Sequence, residues 1–320
     1  MSRSNVGRGP GVKTRRCMFL WMGLMLPCGL TAQKPPAITG ISHVVLYAND
    51  TQRSKEFYGG LLGWVPESIA DTPHAMRFYA NHEQYVEVVP PPSPSQPDRL
   101  RSVGFATSDA NALRRYLGSK GVAVPDSLKT DPRGDRSFEV KDPEGNLVEF
   151  TQSSKRRSPP PSASVIAGRL STHMMHAGYV VRDRKALDHF YKDILGFHLY
   201  WEGGAKPGDV DWVMMQVPDG TDWIEYMLYL PAAPTRGQLG SADHIAPGVD
   251  RVEVLQERLE QRGWKPASGA NPQVLGVDGK LQLDLTDPDG TRVEFMEFKP
   301  VEKPCCSAYT GRQPVGGERW

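Results

Sequence analysis

The hydrophobic pattern of the second half of the chain predicts a strand, a helix and three further strands, and then repeats this order. Alternating apolar residues around His176 predict the first strand, and residues 186–195, ALDHFYKDIL, have the apolar spacing of an amphipathic helix. Three apolar runs predict the next strands: FHLYW (197–201), DWVMMQV (211–217) and WIEYMLYL (223–230). The order restarts with DHIAPGV, the helix VEVLQERLEQRG and strands that end in LQLDLTD and TRVEFMEF. This half is therefore predicted to hold two βαβββ units.

The first half of the chain carries a copy of the second. SHVVLYANDTQRSKEFYGGLLGW (42–64) returns as MHAGYVVRDRKALDHFYKDILGF (175–197), and DPEGNLVEF (142–150) returns as DPDGTRVEF (287–295). Self-similarity on this scale indicates duplicated structural units. The whole chain is therefore predicted to contain four βαβββ units, which form two related domains of an α+β fold.

A segment rich in proline and serine separates the two copies. Residues 153–164 read SSKRRSPPPSAS, and this composition favours an extended spacer because it cannot supply a hydrophobic core. The predicted organisation is domain 1 at residues 38–153, a linker at 154–170, domain 2 at 171–298 and a flexible tail at 299–320.

The N-terminus has the order of an export signal. Several basic residues precede an apolar run at 17–30, and small residues follow, so we predict a signal at residues 1–32 with cleavage after Ala32. The run is shorter than the roughly 20 residues that span a bilayer, so no stable membrane anchor is expected. TRRCMFL (14–20) resembles a twin-arginine signal, and a periplasmic or extracellular location is expected.

Charge and cysteine content narrow the classes of function. The formal net charge is +1, so the chain has no broad electrostatic field that would attract nucleic acid, and a small molecule is the expected partner. All four cysteines lie in the signal or in the tail, which leaves the two domains without a thiol. A thiolate zinc site and a cysteine nucleophile are thereby excluded from the domains, and any metal there must be held by nitrogen and oxygen atoms. No feature of the sequence indicates an oligomeric state.

Two motifs give the chain a resemblance to a known family. FYxxxLG followed by an aromatic residue comes after the first helix of each half, and DPxGxxVEF closes each half. Their order and repetition resemble the vicinal oxygen chelate superfamily, which includes glyoxalase I, extradiol dioxygenases, fosfomycin-resistance proteins and methylmalonyl-CoA epimerase. The resemblance covers about residues 38–298. It implies that the two βαβββ units of each domain form a curved, partly open barrel.

The resemblance also implies a metal site in domain 2. In this family the ligands come from the first and the last strand of each unit, and this rule selects His176, Glu225, His244 and Glu294. Two imidazoles and two carboxylates resemble the centre of glyoxalase I, and the implied cofactor is one divalent ion: zinc, nickel, manganese, cobalt or iron. Because side chains alternate along a strand, each glutamate shares its strand face with the residues two positions away.

The same rule applied to domain 1 selects an incomplete set: His43, Glu87, Ser102 and Glu149. A serine occupies the place of the second histidine, so domain 1 is predicted to carry a degenerate site and a structural role, with a weak three-ligand metal site as the alternative. The remaining histidines fall outside the ligand rule and are interpreted as surface or packing residues: His74, His82, His173, His189 and His198.

Three functions are compatible with these residues. The first is glyoxalase I-like proton transfer on a small substrate with vicinal oxygens, catalysed by a lyase or isomerase with Glu225 or Glu294 as the general base. The second is extradiol ring cleavage with Fe(II) held by His176, His244 and Glu294, although Asp284 stands where such enzymes carry a tyrosine.

The third function is a non-catalytic binder of the bleomycin-resistance type. Four aromatic residues of domain 2 are numerous enough to line a small-molecule pocket: Trp201, Trp212, Trp223 and Tyr229. Their alternative role is core packing. The presence of all four metal positions favours an enzyme over a metal-free binder.

Overall fold

The computed structural model describes residues 34–69, 72–93, 95–154, 162–266 and 271–316. The described residues from Pro35 onward form one compact unit. The predicted export signal and residues 155–161 of the predicted linker lie outside the described residues. No helix of the described part is both long and apolar enough to cross a membrane.

Domain 1 is a single mixed sheet of eight strands that is covered by helices. Its strands are β1 (Ile38–Tyr47), β2 (Val65–Ser68), β3 (Met76–Tyr79), β4 (Tyr85–Val89), β5 (Leu100–Thr107), β6 (Lys129–Thr130), β7 (Arg136–Lys141) and β8 (Leu147–Gln152). Its helices are α1 (Thr51–Ser54), which continues as a π-helix (Lys55–Leu61), and α2 (Ala110–Ser119). The strand order is β2-β3-β4-β1-β5-β8-β7-β6, so two βαβββ units meet where β1 pairs with β5.

Domain 2 repeats this arrangement after a short helix, α3 (Ala163–Gly168). Its strands are β9 (Met174–Val180), β10 (His198–Gly203), β11 (Trp212–Gln216), β12 (Trp223–Met227), β13 (Ile245–Val249), β14 (Gln273–Leu275), β15 (Leu281–Thr286) and β16 (Arg292–Glu297). Its helices are α4 (Arg184–Asp188), continued as a π-helix (His189–Ile194), α5 (Arg236–Ala242) and α6 (Val252–Gln261). The strand order β10-β11-β12-β9-β13-β16-β15-β14 matches that of domain 1, which confirms the predicted fold class.

The two repeated motifs form a reciprocal contact between the domains. The hydroxyl of Tyr58, from the FY motif of domain 1, donates a 2.9 Å hydrogen bond to Asp287, which opens the DP motif of domain 2. Tyr191 and Asp142 form the opposite pair at 3.4 Å. Each aspartate also accepts backbone N–H groups of its own turn, as Asp287 does from Thr291 at 2.8 Å. The buried aspartates therefore order a turn and join the domains at the same time.

One hydrophobic core runs through both domains. It contains the helix-facing side chains of both sheets, and Phe105 of β5 packs edge to face on Phe197 of domain 2 at 5.3 Å between ring centroids. A second, smaller cluster lies in domain 2 alone, around Trp201, Met214 and Trp223. Because strand side chains alternate, these three residues belong to the sheet face opposite the helices, which is also the face of Glu225.

The tail after β16 is packed against domain 2, in contrast to the flexible tail predicted from the sequence. Within residues 299–316, the backbone N–H of Thr310 donates to the carbonyl of Tyr200 at 3.0 Å, and that of Cys305 donates to the carbonyl of Val277 at 2.8 Å. Cys305 and Cys306 form a disulfide with each other. The prediction was wrong because these contacts are made largely by backbone atoms, which leave no hydrophobic period in the sequence.

Candidate metal centre

Four buried side chains of domain 2 converge on one point. His176, Glu225, His244 and Glu294 each offer one ligand atom, and these atoms lie within 4.8 Å of one another. The Nε2 atoms of the two histidines are 2.9 Å apart. Glu294 Oε2 lies 3.3 Å from His176 Nε2 and 3.0 Å from His244 Nε2. The structure thus brings together all four residues selected from the sequence.

Glu225 stands slightly farther out than the other three. Its Oε2 lies 3.7 Å from His176 Nε2 and 3.5 Å from His244 Nε2. Its side chain is 7% exposed, against 4% for Glu294 and none for either histidine. The group therefore consists of a tight trio with a fourth donor at its open side.

Strand pairing explains why these residues meet. In the parallel pair β9 and β12, His176 lies opposite Trp223 and Gly178 lies opposite Glu225, so all four share one face of the sheet. The ring of His176 stacks on Trp223 at 4.7 Å. Glu294 enters from β16, on the other side of β13. The curvature of the sheet turns this face into a cup that directs the side chains inward.

His244 immediately precedes β13 and reaches the centre over a glycine. A Cβ atom built on Gly178 would lie only 2.2 Å from His244 Nδ1. The same nitrogen donates to the carbonyl of Ala242 at 2.8 Å, which leaves the lone pair of Nε2 directed at the centre. Gly178 therefore provides the space, and Ala242 the orientation, for a metal-ligating imidazole.

Replacing Gly178 by alanine is expected to weaken metal binding at least about tenfold, as other losses of ligand orientation do. The new Cβ would meet both the His244 ring and the carbonyl oxygen of Ala242, which would lie 2.5 Å away. Gly104→Ala is the matched control, because its Cβ would lie 2.2 Å from the His43 ring in domain 1. Titration with zinc measures both variants. Equal loss of affinity in the two would contradict this role of Gly178.

In the metal-free protein, the pKa values of the two glutamates are shifted in opposite directions. Burial raises the pKa of Glu225 well above its usual range, and the neighbouring charge of Glu294 adds to this rise. Burial acts in the same direction on Glu294, but Arg292 and the two histidines outweigh it and hold that pKa well below the usual range. The metal-free site therefore favours the protonated form of Glu225 and the ionised form of Glu294.

Both histidines are neutral for a related reason. Burial lowers the pKa of His176 to about 4, although Glu294 partly opposes this shift. Burial and the positive charge of Arg292 also lower the pKa of His244. Neutral imidazole is the form that ligates a metal.

The donor atoms fit a divalent ion. Glu294 Oε2 is buried without a hydrogen-bond partner among the described residues, and the two histidine Nε2 atoms lie beside it, 2.9 Å from each other. Such an arrangement is unfavourable unless a cation neutralises it. Two nitrogen and two oxygen donors suit zinc and the neighbouring first-row divalent ions. The site could therefore hold a metal ion.

Arg292 supports this centre from the same strand as Glu294. Its Nη1 donates to Glu294 Oε1 at 3.2 Å, and its Nε donates to the carbonyl of Ser241 at 2.8 Å. Glu294 is thereby held by one oxygen while its other oxygen faces the histidines. Arg292 was not among the residues selected from the sequence, although its position two residues before Glu294 places it on the same strand face.

The equivalent positions of domain 1 make different contacts. Among the described residues, its four equivalent positions do not form a metal-ligating group. His43 Nε2 pairs with Glu149 at 3.2 Å, while Glu87 is taken up by Arg77, whose Nε donates to it at 2.8 Å. Arg77 pairs with Glu87 across the strands, where domain 2 has Met214 opposite Glu225. A fixed positive side chain thus occupies the degenerate cup.

The two domains differ at two neighbouring positions, and the two differences are related to the absence of the second histidine from domain 1. Val45 of β1 is the counterpart of Gly178 and lies opposite Ser102, the counterpart of His244. Valine would collide with an imidazole at this place, and serine is small enough to lie beside it. The glycine in domain 2 therefore makes room for a histidine that domain 1 does not have.

The aromatic residues have divided roles. Trp201 and Trp223 are fully buried in the cup of domain 2, whereas Tyr229 is 48% exposed and packs on Trp212 at 5.7 Å. Of the histidines interpreted as packing residues, His173 is buried and bonded to Asp222 at 2.6 Å. Trp201 and Trp223 thus form part of the wall of the metal cup, whereas Tyr229 and Trp212 pack on each other.

Comparison with solved structures shows the same fold. The Mn(II)-bound glyoxalase from Novosphingobium aromaticivorans is 19% identical, with a TM-score of 0.58 over 82% of this chain and 83% of that chain. The native homoprotocatechuate 2,3-dioxygenase from Arthrobacter globiformis is 16% identical, with a TM-score of 0.63 over 83% and 81%. The 2,3-dioxygenase LapB from a Pseudomonas species is 15% identical, with a TM-score of 0.61 over 84% and 98%.

These identities are low enough that the similarity shows the fold alone. Among proteins of curated function, none matches the chain in sequence. The model of the Glyoxalase/Bleomycin resistance protein/Dioxygenase superfamily matches residues 40–150 and again 173–295, one match for each domain. The chain therefore belongs to this superfamily.

Proposed function

We propose that the protein is an exported, divalent-metal-dependent enzyme that moves a proton between adjacent carbons of a small substrate with vicinal oxygens, as a glyoxalase I-like lyase or isomerase. The observation that carries this proposal is the position of Glu225. It joins the trio of His176, His244 and Glu294 as a fourth donor, and its carboxyl is the one at the open side of the group.

The four side chains would hold zinc, nickel, manganese, cobalt or iron, and an ion bound there would act as a Lewis acid on the substrate oxygens. Glu294 is the fixed ligand, because Arg292 keeps it ionised and oriented. Among the described residues no cation is hydrogen-bonded to Glu225, and burial raises the pKa of its carboxyl, which favours uptake of a proton by this group. The environments push the two carboxyl pKa values apart, which assigns Glu225 as the general base.

Extradiol ring cleavage is the second candidate, and the geometry of the trio favours it. The distances from Glu225 to the histidine nitrogens, 3.7 and 3.5 Å, exceed those from Glu294, 3.3 and 3.0 Å. With Glu225 outside the coordination sphere, two histidines and one carboxylate would remain, which is the donor set of non-heme Fe(II) oxygenases. Asp284, on β15 opposite Glu294, takes the place expected for a tyrosine and pairs with Arg292 instead. This substitution weakens the second candidate.

A metal-free binding protein is the third candidate. The fold alone does not exclude it, because function resides in the site. A buried carboxylate oxygen that has no hydrogen-bond partner among the described residues is a costly feature for a binder that has no metal. The enzyme is therefore preferred.

Export is part of the proposal. It is supported by the basic and apolar order of residues 1–32 and by the disulfide between Cys305 and Cys306, since disulfides persist in oxidising compartments such as the periplasm or the extracellular space. The partner of the exported enzyme is a small-molecule substrate.

Protein purified without added metal is expected to contain about one divalent ion per chain. It is expected to exchange a substrate C–H proton with solvent deuterium in 2-oxoaldehyde adducts and α-hydroxycarbonyl compounds, and to consume no oxygen with catechols. Elemental analysis, NMR of the exchanged position and an oxygen electrode measure these outcomes. Iron together with catechol-dependent oxygen uptake would establish the second candidate instead, and a metal-free protein that binds small molecules would establish the third.

A further inference from the structure

The C-terminal segment at residues 299–316, here called the strap, bridges the two free edges of the domain 2 sheet. At one edge, Thr310 N donates to the carbonyl of Tyr200 and Trp201 Nε1 donates to the carbonyl of Cys305 at 3.2 Å, which ties the strap to β10. At the other edge, Val301 N donates to the carbonyl of Gly279 at 2.8 Å, in the turn between β14 and β15. The strap therefore closes a sheet that its own strands leave open.

A stack of rings connects the strap to the metal centre. Tyr309 of the strap contacts Tyr200 at 4.7 Å, Tyr200 contacts Trp223 at 5.3 Å, and Trp223 stacks on the metal-ligand candidate His176. Buried Lys280 adds a polar contact and donates to the side chain of Gln313 at 2.9 Å. The strap is thus continuous with the wall of the cup.

The equivalent cup of domain 1, which the described residues of the strap do not contact, provides a comparison of exposure. Its cup is a cavity of about 380 Å³ whose lining includes His43, Glu87 and Glu149. The two glutamate side chains are 17% and 21% exposed, whereas their counterparts in domain 2 are 7% and 4% exposed. The metal cup is therefore the closed one of the two, although a substrate that places two oxygens on an ion must enter it.

The disulfide sits at the point where the strap meets β10. Cys306 has a φ of 75°, in the left-handed region that an L residue adopts only when it is held there. The bond to the adjacent Cys305 closes a small ring around the intervening peptide and so restrains this conformation. The neighbouring Ser307 accepts a hydrogen bond from Glu202 N at 2.9 Å. Both cysteines are exposed and accessible to thiols.

We infer that the strap is a redox-sensitive closure of the metal cup, and that reduction of the Cys305–Cys306 disulfide by a dithiol opens this side of the cup to small molecules. In the reaction, one thiolate of the dithiol attacks a disulfide sulfur and the second resolves the mixed disulfide. Two electrons and two protons pass to Cys305 and Cys306, and the dithiol leaves as a cyclic disulfide. Without the ring, Cys306 relaxes to negative φ and turns the chain away from β10.

The consequence for metal access rests on the proposed metal site, whereas the closure itself is measured in metal-free protein. We compare the oxidised chain, the chain reduced with dithiothreitol and then freed of it under argon, and the double variant Cys305→Ser/Cys306→Ser. In metal-free protein, the amides of Cys305, Glu202 and Thr310 are expected to exchange hydrogen at least about tenfold faster once the disulfide is absent. Amides of β5 in domain 1 serve as the internal control and are expected to be unchanged.

In the zinc-loaded protein, transfer of zinc to a chelating dye is expected to be at least about tenfold faster for the reduced chain and for the double variant than for the oxidised chain. Unchanged amide exchange would overturn the role of the disulfide. Faster exchange with unchanged zinc transfer would overturn the closure of the cup. A chain that binds no zinc in any form would contradict the proposed metal site, and the amide exchange would still decide whether the disulfide holds the strap.

Discussion

His244→Ala is expected to remove bound metal and to abolish turnover while the protein stays folded. The imidazole supplies one of the two nitrogen donors, and its Nε2 lies 2.9 Å from that of His176 and 3.0 Å from Glu294. Loss of groups that merely orient ligands costs 10- to 100-fold in affinity, so loss of the ligand itself should exceed about 100-fold. Elemental analysis of the purified variant and titration of the metal-free protein with zinc measure this loss.

Ser102→Ala is the matched control, because Ser102 holds the equivalent position in domain 1. It is expected to leave the metal content unchanged. Zinc should raise the thermal midpoint of the wild type and of Ser102→Ala, because a ligand that binds only the folded state stabilises it. It should not raise that of His244→Ala. A His244→Ala protein that retains one metal per chain would place the site elsewhere, and loss of metal from Ser102→Ala would give domain 1 a role in it.

The fold and the four ligand candidates were predictable because both are repeated in the chain. Each βαβββ unit has its own hydrophobic pattern, and the DPxGxxVEF motif marks the last strand of each domain. Glu225 and Glu294 could then be selected by position, and strand alternation placed each on one face of the sheet. The structure adds the reason for the repeated aspartate, since Asp142 and Asp287 each bind a tyrosine of the other domain.

The supporting residues were harder to predict because their roles depend on contacts between distant segments. Gly178 has no chemistry of its own, and only the register of β9 against the start of β13 shows that it makes room for His244. The strap was harder to predict because several of its hydrogen bonds are made by backbone atoms, among them those of Cys305 and Thr310. Backbone contacts of this kind carry no residue-type signal.

Glu225→Gln is expected to separate the two enzymatic candidates. Glutamine keeps the volume of the side chain and resembles the protonated form that burial favours in the metal-free protein, so the fold should persist. Proton transfer should fall by about 10²- to 10⁴-fold because the general base is lost. Metal should still bind, more weakly, through His176, His244 and Glu294. A three-ligand dioxygenase would instead keep its iron and its oxygen uptake.

The pH dependence of metal binding gives Glu225 a second, independent signature. Its raised pKa favours the protonated carboxyl, and a metal that binds through this carboxyl displaces the proton, so affinity should increase as the pH rises toward that pKa. Glu225→Gln should lack this dependence and release about one proton fewer in calorimetry across buffers of different ionisation enthalpy. Glu87→Gln, at the equivalent position of domain 1, should behave like the wild type. If Glu225→Gln retains full metal content, turnover and proton release, Glu225 is neither ligand nor base, and the three-ligand site of His176, His244 and Glu294 takes its place.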